Sequence, residues 1–581
     1  MTPKHLLTLS LCILAACGDS KPEPKPDPTP DPTPGCDAAS LSVKLLAPSG
    51  PVTTRGTVQV SLAVTGKVDT VEVLRDGLVL ATVAAPYSYT WDTTSVLEGT
   101  HEVQGRATCG TTRVTSDVQT VMVDRTPPAV TGRTPSPDAE VAAGSGIRVD
   151  FSESVLPSTV TSDSLMLKVD GFRVDATMSL STDGRALTLT PTKPLAAPAR
   201  AEVTLAAGLT DAVGNLVVPP SPWTFTVPRW LAAPGAVPPV QAGERFASQP
   251  ILQLDATGQP VVAFLSASGP STSAVTRTAR WTGSAWTPLL ESGASEALAL
   301  GFAMGPQGRI MFASLHHPSS QRLDVDFHTP GKEPATDFIF DCVEPVTAVG
   351  PLGTGAVACA YALSGVPPYS LVVETFGSGA GAELSVLGAG EAEDQRLPAL
   401  ALDAEDRPVV AYLDKQKAFA VARWSGTAWS FLGTRLQTQG LSGEPIVRID
   451  SAKQPVLAWR EVEGSTSRVR IHRFVGSSWS QVVSPSGVAL PPANAPSLAM
   501  TLDGNGQPVL AWTEAGTPAK VRVSRFDGST WTSLGDVSRA GADVLLGRGG
   551  LELDAQGRPV LGTVVRAGGV SDVQVWRLNV P

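Results

Sequence analysis

The sequence predicts an all-β protein in which two tandem β-sandwiches precede a seven-bladed β-propeller. Three observations support this prediction. One phrase recurs about every 50 residues through the C-terminal half, short β-patterned runs fill each repeat, and similar runs at regular spacing occupy the region before the repeats. A repeat period in this range indicates a repeat architecture. Short apolar runs separated by Gly, Asp, Asn and Pro indicate strands and turns.

The repeated phrase is clearest from Leu254 to Phe264, with the sequence LDATGQPVVAF. Four further copies keep its Asp, and two degenerate copies carry Gly305 and Leu352 at the same place, which makes seven copies. The copies that keep the Asp have it at Asp255, Asp403, Asp450, Asp503 and Asp554.

Each repeat is predicted to form one blade of four strands. The sixth copy contains four β-patterned runs, at Ser497–Leu502, Pro508–Glu514, Lys520–Phe526 and Thr530–Leu534. Between the first two, Asp503-Gly-Asn-Gly506 predicts a tight turn, because an Asp carboxylate accepts hydrogen bonds from nearby amides and Gly tolerates positive φ. Four strands at this period are typical of a propeller blade. A solenoid would need capping repeats, which the sequence does not show.

The two ends of the repeat region predict how the ring closes. The seventh copy stops after its third strand, at Trp576-Arg577-Leu578, whereas Trp230 stands before the first copy without a blade of its own. We therefore predict that the segment around Trp230 is the outer strand of the last blade, because this pairing removes an exposed sheet edge. The propeller then spans residues 229–581.

An Arg near the end of the third strand accompanies the Asp of the turn. We predict structural ion pairs within blades, each stabilising by about 1–3 kcal/mol if partly buried and bidentate. A repeated ligand site is the alternative. The pairs are Asp255 with Arg280, Asp403 with Arg423, Asp450 with Arg473, and Asp503 with Arg525.

The first residues predict export and anchoring. Lys4 and His5 precede a short apolar run that ends Leu14-Ala-Ala-Cys17, which is typical of a signal peptide over residues 1–16 and too short for a membrane span. The last four residues are similar to the lipobox of bacterial lipoproteins. This resemblance implies lipidation of Cys17 and hence a lipid-anchored location in the cell envelope, at the outer membrane or cell surface. An ordinary secreted protein is the alternative. Residues 17–40 would hold the lipidated Cys and a stiff Pro-rich linker.

Residues 41–124 resemble bacterial Ig-like domains, on the segments 71–77, 86–92 and 99–103. Residues 125–228 resemble the SbsA-type bacterial Ig-like domain, on Thr126-Pro-Pro128 and the segments 149–153, 187–191, 209–215 and 223–226. These resemblances imply two tandem Ig-like β-sandwiches that act as surface spacers or adhesion modules. Asp211 and Asn215 could suggest calcium ligands, but Asp and Asn before a strand more often cap a turn.

The cysteines predict two disulfides. Cys36 precedes the first strand of the first sandwich and Cys109 lies near a late turn, while Cys342 and Cys359 lie between the second and third repeats. In an oxidising compartment we expect the pairs Cys36–Cys109 and Cys342–Cys359. No CxxC spacing or His cluster accompanies them, so the sequence predicts no metal site.

The net charge and the absence of catalytic motifs argue against two classes of function, nucleic-acid binding and catalysis. The net charge of −10 and the lack of a Lys/Arg cluster argue against nucleic acid as a partner. No phosphate loop, HExxH or GxSxG motif occurs, so we predict no enzyme activity and no cofactor. Four polar residues at the ends of second strands are instead predicted to form a binding rim opposite the Asp turns, with solvated strand ends as the alternative. They are His316, Asp414, Glu461 and Glu514.

These expectations combine into one functional hypothesis. The protein would be a membrane-anchored envelope lipoprotein that acts as a surface binding, adhesion or scaffolding protein, with a glycan or a surface protein as partner. Its Ig-like domains would be spacers and its propeller the recognition head. A polysaccharide-active hydrolase or lyase that uses the propeller funnel is one alternative. A structural envelope component without a specific ligand is another.

Overall fold

The computed structural model of this 581-residue chain describes residues 39–235, 237, 244–246, 250–268, 274–291, 299–315, 322–332, 335–339, 341–361, 368–377, 382–384, 394–441, 443–463, 466–482, 498–514 and 516–580. Within these ranges the helical elements are two single 3-10 turns, Pro157–Thr159 and Pro306–Gly308, and all other regular structure is β-strand. None of the described helical segments is long and apolar enough to cross a membrane. The predicted fold class is confirmed.

The first sandwich packs a three-stranded sheet, β1-β3-β6, against a sheet in the order β2-β9-β7-β4-β5, with β8 paired to β7. Alternate residues of β1 and β3 are buried, as expected for strands with one face on a core. Trp91 fills the centre of that core, at 1% exposure. The strands are β1 (Ser42–Ala47), β2 (Val52–Thr54), β3 (Thr57–Thr65), β4 (Thr70–Arg75), β5 (Leu78–Thr82), β6 (Ser88–Asp92), β7 (Gly99–Cys109), β8 (Thr112–Thr115) and β9 (Gln119–Val123).

The second sandwich packs two four-stranded sheets, β10-β11-β15-β14 and β13-β12-β16-β17. Its core contains Ile147, Leu165 and Phe225, all fully buried. The strands are β10 (Val130–Thr134), β11 (Ile147–Phe151), β12 (Leu165–Val169), β13 (Phe172–Arg173), β14 (Ala176–Leu180), β15 (Ala186–Pro191), β16 (Ala199–Leu205) and β17 (Trp223–Val227).

Seven sheets follow, which we call blades 1 to 7 in chain order of their inner strands. Blade 1 contains β19 (Glu244–Phe246), β20 (Ile251–Leu254), β21 (Pro260–Ser268), β22 (Ala274–Trp281) and β23 (Trp286–Glu291). Blade 2 contains β24 (Ala299–Met304), β25 (Ile310–Leu315), β26 (Leu323–His328) and β27 (Ala335–Ile339). Blade 3 contains β28 (Cys342–Val349), β29 (Gly355–Tyr361), β30 (Ser370–Phe376) and β31 (Ala382–Leu384).

Blades 4 to 7 have the same antiparallel meander. Blade 4 contains β32 (Arg396–Leu402), β33 (Pro408–Leu413), β34 (Ala418–Trp424), β35 (Trp429–Phe431) and β36 (Leu436–Gln437), and blade 5 contains β37 (Ile446–Ile449), β38 (Pro455–Glu463), β39 (Thr466–Val475) and β40 (Ser478–Val482). Blade 6 contains β41 (Leu498–Leu502), β42 (Pro508–Glu514), β43 (Lys520–Phe526) and β44 (Trp531–Val537). Blade 7 contains β45 (Asp543–Leu553), β46 (Pro559–Ala567) and β47 (Val570–Leu578), together with β18 (Trp230–Ala232) from before the repeats.

The seven blades stand in a ring. The inner strand of each blade contacts the inner strand of the next, and β20 of blade 1 contacts both β24 of blade 2 and β45 of blade 7. Apolar clusters fill the spaces between successive sheets. The second strand of a blade is therefore buried on both faces, as in Pro508–Glu514, and its sequence is a continuous apolar run.

The ring closes where the sequence predicts. β18 is the outer strand of blade 7, with Trp230 opposite Leu578 and Ala232 opposite Trp576. The Trp230 indole is 4% exposed and its Nε1 donates to the Leu534 carbonyl of blade 6, 3.2 Å away. One short segment from before the repeats thus completes the last sheet and also contacts its neighbour.

The inner strands all end at tight turns on one face of the ring, which we call the turn face. In the Asp503 turn, Oδ1 accepts hydrogen bonds from the amides of Asn505 and Gln507, each at 2.9 Å. For the third copy the sequence prediction was wrong, because Gly350 and not Leu352 occupies the position of the turn Asp. The Gly350 amide donates to the Thr354 carbonyl, as the first residue of each such turn does. The opposite face of the ring is called the distal face below.

The predicted ion pairs form in two of four blades. Arg280 Nε lies 2.6 Å from Asp255 Oδ2, and Arg473 Nη1 lies 3.4 Å from Asp450 Oδ2. The predicted pair of Asp403 with Arg423 is wrong, because Asp403 pairs with Arg407 of its own turn, 3.0 Å away. The predicted Asp503–Arg525 pair is wrong as well: Arg525 donates to the Gly557 carbonyl of the next blade and makes no ion pair with Asp503.

Four third-strand arginines extend toward the following blade, whereas Arg280 bonds the Asp of its own turn. Each of the four donates to a carbonyl in the turn of the following blade, and Arg577 does so across the closure of the ring, 2.7 Å from the Gly258 oxygen. These bonds supply donors to turn carbonyls and tie neighbouring blades together. The other contacts are Arg423 with Lys453, Arg473 with Gly506, and Arg525 with Gly557.

The second sandwich joins the propeller at the turn face. β18 runs antiparallel to β47, and β47 runs toward the turn face, so the chain enters the ring there. Asn579 is 7% exposed and bonds both units: its Oδ1 accepts from the Ala143 amide at 2.8 Å, and its Nδ2 donates to the Val141 and Pro228 carbonyls. The distal face therefore points away from the Ig-like domains.

Candidate functional site

A central cavity of about 600 Å³ lies on the axis of the ring, lined by the inner strands of all seven blades. Several lining positions on the inner strands carry glycine or alanine. The volume is within the range of small-molecule sites, about 300–1,000 Å³. These small lining residues are Gly301, Ala303, Ala348, Ala399, Ala401 and Ala499.

Blade 7 places an arginine in this cavity by means of a bulge. The register of β45 against β46 shifts between Leu546 and Leu551, where the sequence is Gly547-Arg548-Gly549-Gly550. A Cβ at Gly547 would overlap the Pro250 carbonyl oxygen and one at Gly550 would overlap the Gly562 carbonyl oxygen, while Gly549 has φ of +60°. Only glycine fits these positions without displacement. Bulges redirect side chains and are frequent beside functional sites.

Arg548 reaches two other blades across the axis. Its Nε lies 2.7 Å from Oε2 of Glu444 in the segment that leads into blade 5, and its Nη1 lies 3.5 Å from the Leu300 carbonyl of blade 2. The two charged side chains keep 30% and 45% of their exposure. Because Glu444 precedes β37, this pair lies toward the distal face and reaches solvent.

A second charged group lies nearer the turn face. Glu552 of blade 7 accepts a hydrogen bond from the Gln253 side-chain amide at 3.1 Å, and Arg448 of blade 5 also lines the cavity. Burial raises the pKa of Glu552, and Arg448 and the Gln253 hydrogen bond oppose that rise. Glu552 therefore keeps its proton to a higher pH than an ordinary carboxylic acid does.

A third arginine, Arg460 of β38, lines the same cavity at 6% exposure. Its Nε donates to Ser467 Oγ at 2.8 Å. The charged lining of the cavity is thus three arginines, Arg448, Arg460 and Arg548, against Glu444 and Glu552. Arginine stays protonated in proteins, so the cavity carries a positive balance although the chain is acidic overall.

Three of the four predicted rim residues lie in the described part of the chain, and each bonds donors of its own blade. Asp414 is 3% exposed and accepts from the Ala418 amide at 2.9 Å and from Arg435. Glu461 accepts from Trp459 Nε1 at 2.9 Å and Arg470 Nε at 2.8 Å.

The other two predicted rim residues are Glu514 and His316. Glu514 pairs with Lys520 and Arg522, at 3.2 and 2.9 Å. His316 lies outside the described residues. Each of the three described carboxylates is thus bound by donors close to it.

The structure describes three of the five cysteines for which the sequence predicts a role. Cys342 and Cys359 form the predicted disulfide between β28 and β29, with Cα atoms 5.8 Å apart. Cys109 is disulfide-bonded, and its predicted partner Cys36 lies outside the described residues, as does Cys17.

One acidic cluster lies between the two sandwiches. Carboxylate oxygens of Asp124, Glu153 and Asp211 lie within 4.8 Å of one another. Asp211 caps its turn as the sequence suggests, accepting from the amides of Val213 and Asn215 at 2.9 Å. Burial, and then the charges of Asp124 and Asp211, raise the pKa of Glu153.

Sequence reasoning missed the five charged residues of the cavity. Arg448 and Glu552 stand two positions before the turn Asp of their copies, where the other copies with that Asp have Gln, Ala or Thr. The run Gly547-Arg548-Gly549-Gly550 breaks the β-pattern of the seventh inner strand. Three glycines around one arginine inside a strand could have indicated a bulge.

Comparison with known families identifies the two sandwiches. Residues 124–227 match the family described as bacterial Ig-like domain, and residues 42–104 match a family described as bacterial Ig domain. Both N-terminal units are therefore bacterial Ig-like domains. No curated protein matches the sequence.

Solved structures resemble the chain only distantly. A fungal lectin from Aleuria aurantia, described as a six-bladed β-propeller with fucose recognition, is 13% identical over 52% of this chain and 98% of its own, with a TM-score of 0.34. AofleA from Arthrobotrys oligospora is 12% identical over 54% and 91%, with a TM-score of 0.37. A protein of unknown function from Dyadobacter fermentans is 13% identical over 60% and 99%, with a TM-score of 0.36. Similarities this low carry no argument about the ligand of this chain.

Proposed function

We propose that this protein is an envelope-exposed binding protein whose propeller takes its ligand in the central cavity, while the Ig-like domains act as a spacer. The main support is the cavity itself, with space for a small ligand and with Arg548 held in it by a glycine bulge. Pockets that combine a preformed volume with a few fixed polar groups are typical binding sites.

The orientation of the ring supports the same proposal. The chain enters at the turn face, and Arg548 and Glu444 lie toward the distal face. A ligand that arrives from outside would therefore meet the cavity on the side away from the Ig-like domains.

We propose binding without turnover. Most glycoside hydrolases use two carboxyl groups, one on each side of the bond that is cleaved, as acid and as base or nucleophile. In this cavity Glu444 is paired with Arg548 and Glu552 is hydrogen-bonded to Gln253. Incubation with a panel of labelled polysaccharides, followed by chromatography, should release no products.

Two alanine-to-tryptophan variants of blade 4 test the site. Ala401 lines the cavity, and Ala428 lies exposed in the turn before β35. On an array of glycans and surface-protein peptides, the full chain should give saturable binding that Ala401→Trp abolishes and Ala428→Trp leaves unchanged. Equal binding by both variants would place the site elsewhere. If no ligand binds the unaltered chain, the structural-component alternative is favoured.

Anchoring is a separate part of the proposal and rests on the sequence alone. Cys17 is the predicted lipidation site. In a bacterial host fed a labelled fatty acid, the chain should acquire label and sediment with the envelope, and Cys17→Ser should do neither. Retention of label by the variant would overturn the proposed anchor.

A further inference from the structure

We infer that the ligand of the central cavity carries a carboxylate and that Arg548 binds this group in exchange for Glu444. The inference rests on the proposed function, because it names the chemical class of the ligand and the residue that receives it. It begins from the ion pair that already occupies the distal side of the cavity.

Glu444 shows what Arg548 can accept. A guanidinium group matches a carboxylate in shape and charge, and can donate two parallel hydrogen bonds to it. Arg548 Nε lies 2.7 Å from the Glu444 carboxylate. A ligand carboxylate at the same position would make the same bond, so the side chain of Glu444 stands in for the ligand.

The pair can open at low cost. Both side chains are partly exposed, at 30% and 45%, and exposed ion pairs contribute little to stability. Glu444 lies in a short segment between Gly443, whose φ is +90°, and Pro445, before β37 begins. It stands outside a strand and is not committed to a sheet ladder.

Arg548 would keep its position when Glu444 leaves. Its backbone is fixed by the bulge, where glycines allow close approach to the Pro250 and Gly562 carbonyls. Its Nη1 retains the Leu300 carbonyl of blade 2 at 3.5 Å. Preorganisation of this kind reduces the entropy that binding costs.

The remaining charges favour an anion in the cavity. Once Glu444 is displaced, the charged groups left in the lining are Arg448, Arg460, Arg548 and Glu552, and burial raises the pKa of Glu552. A cavity with an excess of one sign of charge concentrates ligands of the other sign. Its volume of about 600 Å³ suits a small acid or the acidic end of a chain and not a folded partner.

Two sources supply such a carboxylate: a hexuronic acid residue of a saccharide, or the free C-terminus of a peptide. Calorimetric titration of the full chain should compare a hexuronic acid disaccharide with its neutral hexose counterpart, and a tripeptide with its C-terminal amide. The acid of one pair should bind at least about tenfold more tightly than its neutral analogue, since a charge-assisted bond is lost. The pair that shows this difference identifies the source.

Two variants with opposite expected effects test the exchange. Arg548→Gln should weaken binding of the acid at least about tenfold and leave the weak binding of the neutral analogue unchanged. Glu444→Gln removes the internal competitor and should tighten binding of the acid by about threefold or more. Arg173→Gln breaks an exposed ion pair with Asp163 in the second sandwich and should change neither affinity.

The outcomes separate this inference from the proposed function. Equal affinities for acid and neutral analogues, both abolished by Ala401→Trp, would keep the cavity as the site and overturn the carboxylate class. An unchanged affinity in Glu444→Gln would overturn the exchange even if Arg548→Gln failed to fold. Absence of binding by all four probes, while other ligands on the array bind in the cavity, would also overturn the carboxylate assignment.

Discussion

At the scale of single residues, Glu374 shows how position sets the protonation of a carboxyl group. It lies on β30 of blade 3, opposite Glu383 of β31, and it also meets the charge of Asp337 on β27 of blade 2. Burial raises the pKa of Glu374 to about 7, and the two neighbouring carboxylates add to the rise. Two blades therefore place a partly neutral acid between them at neutral pH.

We expect Glu374→Gln to change how stability depends on pH. The folded pKa of about 7 exceeds the usual 4.5, so the folded state binds more protons between these values and the free energy of unfolding falls as pH rises through this window. The variant should lose that fall, with stability similar to the unaltered chain near pH 4.5 and higher at pH 8. Urea unfolding at several pH values measures it.

The control for this prediction is Glu383→Gln. This change removes one of the two repelling charges but keeps the titrating group, so it should reduce the fall in stability and not abolish it. The same pH profile in the unaltered chain and in Glu374→Gln would show that Glu374 is not the titrating group.

At the scale of elements, the turn of blade 3 replaces its missing Asp with one from the next blade. Gly350 stands at the start of this turn, and the carboxylate of Asp406 in blade 4 accepts from the Leu352 amide at 2.9 Å and the Thr354 amide at 2.7 Å. These amides correspond to those that a turn Asp binds in its own blade. A Cβ at Gly350 would overlap the Asp406 carboxylate.

A double-mutant cycle tests this replacement. Asp406→Gly should destabilise by about 2–3 kcal/mol because two amides lose a charged acceptor, and Gly350→Asp alone should destabilise by crowding the same site. The two changes together should restore much of the loss, since an Asp at the start of a turn binds these amides in other blades, and Gly suits the φ of +56° at position 406. Denaturant unfolding of the four proteins gives the coupling energy. Additive losses would contradict the replacement.

The elements also show what sequence can predict. The sequence predicts the strands of blade 6 at Pro508–Glu514 and Lys520–Phe526, and the structure has these same bounds, because apolar runs and Gly-containing turns are local signals. It does not predict the partners of Arg423 and Arg525, because the repeat gives the position of a residue within a blade but not which carbonyl of the next blade it reaches. Arg548 is missed for a similar reason: only the closed ring brings it to Glu444 and Leu300.

At the scale of the whole molecule, the ring depends on a few contacts between its two ends. Trp230 packs between blades 6 and 7, and Gln574 Nε2 donates to the Ala233 carbonyl at 2.7 Å across 341 residues of sequence. The Ig-like domains have separate apolar cores. The two parts of the chain should therefore respond differently to damage at the closure.

We expect Trp230→Ala to destabilise the propeller by about 3–5 kcal/mol, because a large buried side chain is lost. Calorimetry of the full chain should show an earlier transition for the propeller and unchanged transitions for the Ig-like domains. Phe172→Ala, at a side chain 79% exposed in the second sandwich, should shift neither. A parallel shift of every transition would show that the domains do not unfold independently.

The pairing of β18 with β47 also sets an order of events during synthesis. The ribosome completes β18 long before β47 exists, so the segment that closes the ring must wait, unpaired, while six blades are made. Only β47 can end that wait. A nascent chain that stalls within blade 7 would therefore expose β18 and the edges of a nearly finished ring to proteases and chaperones.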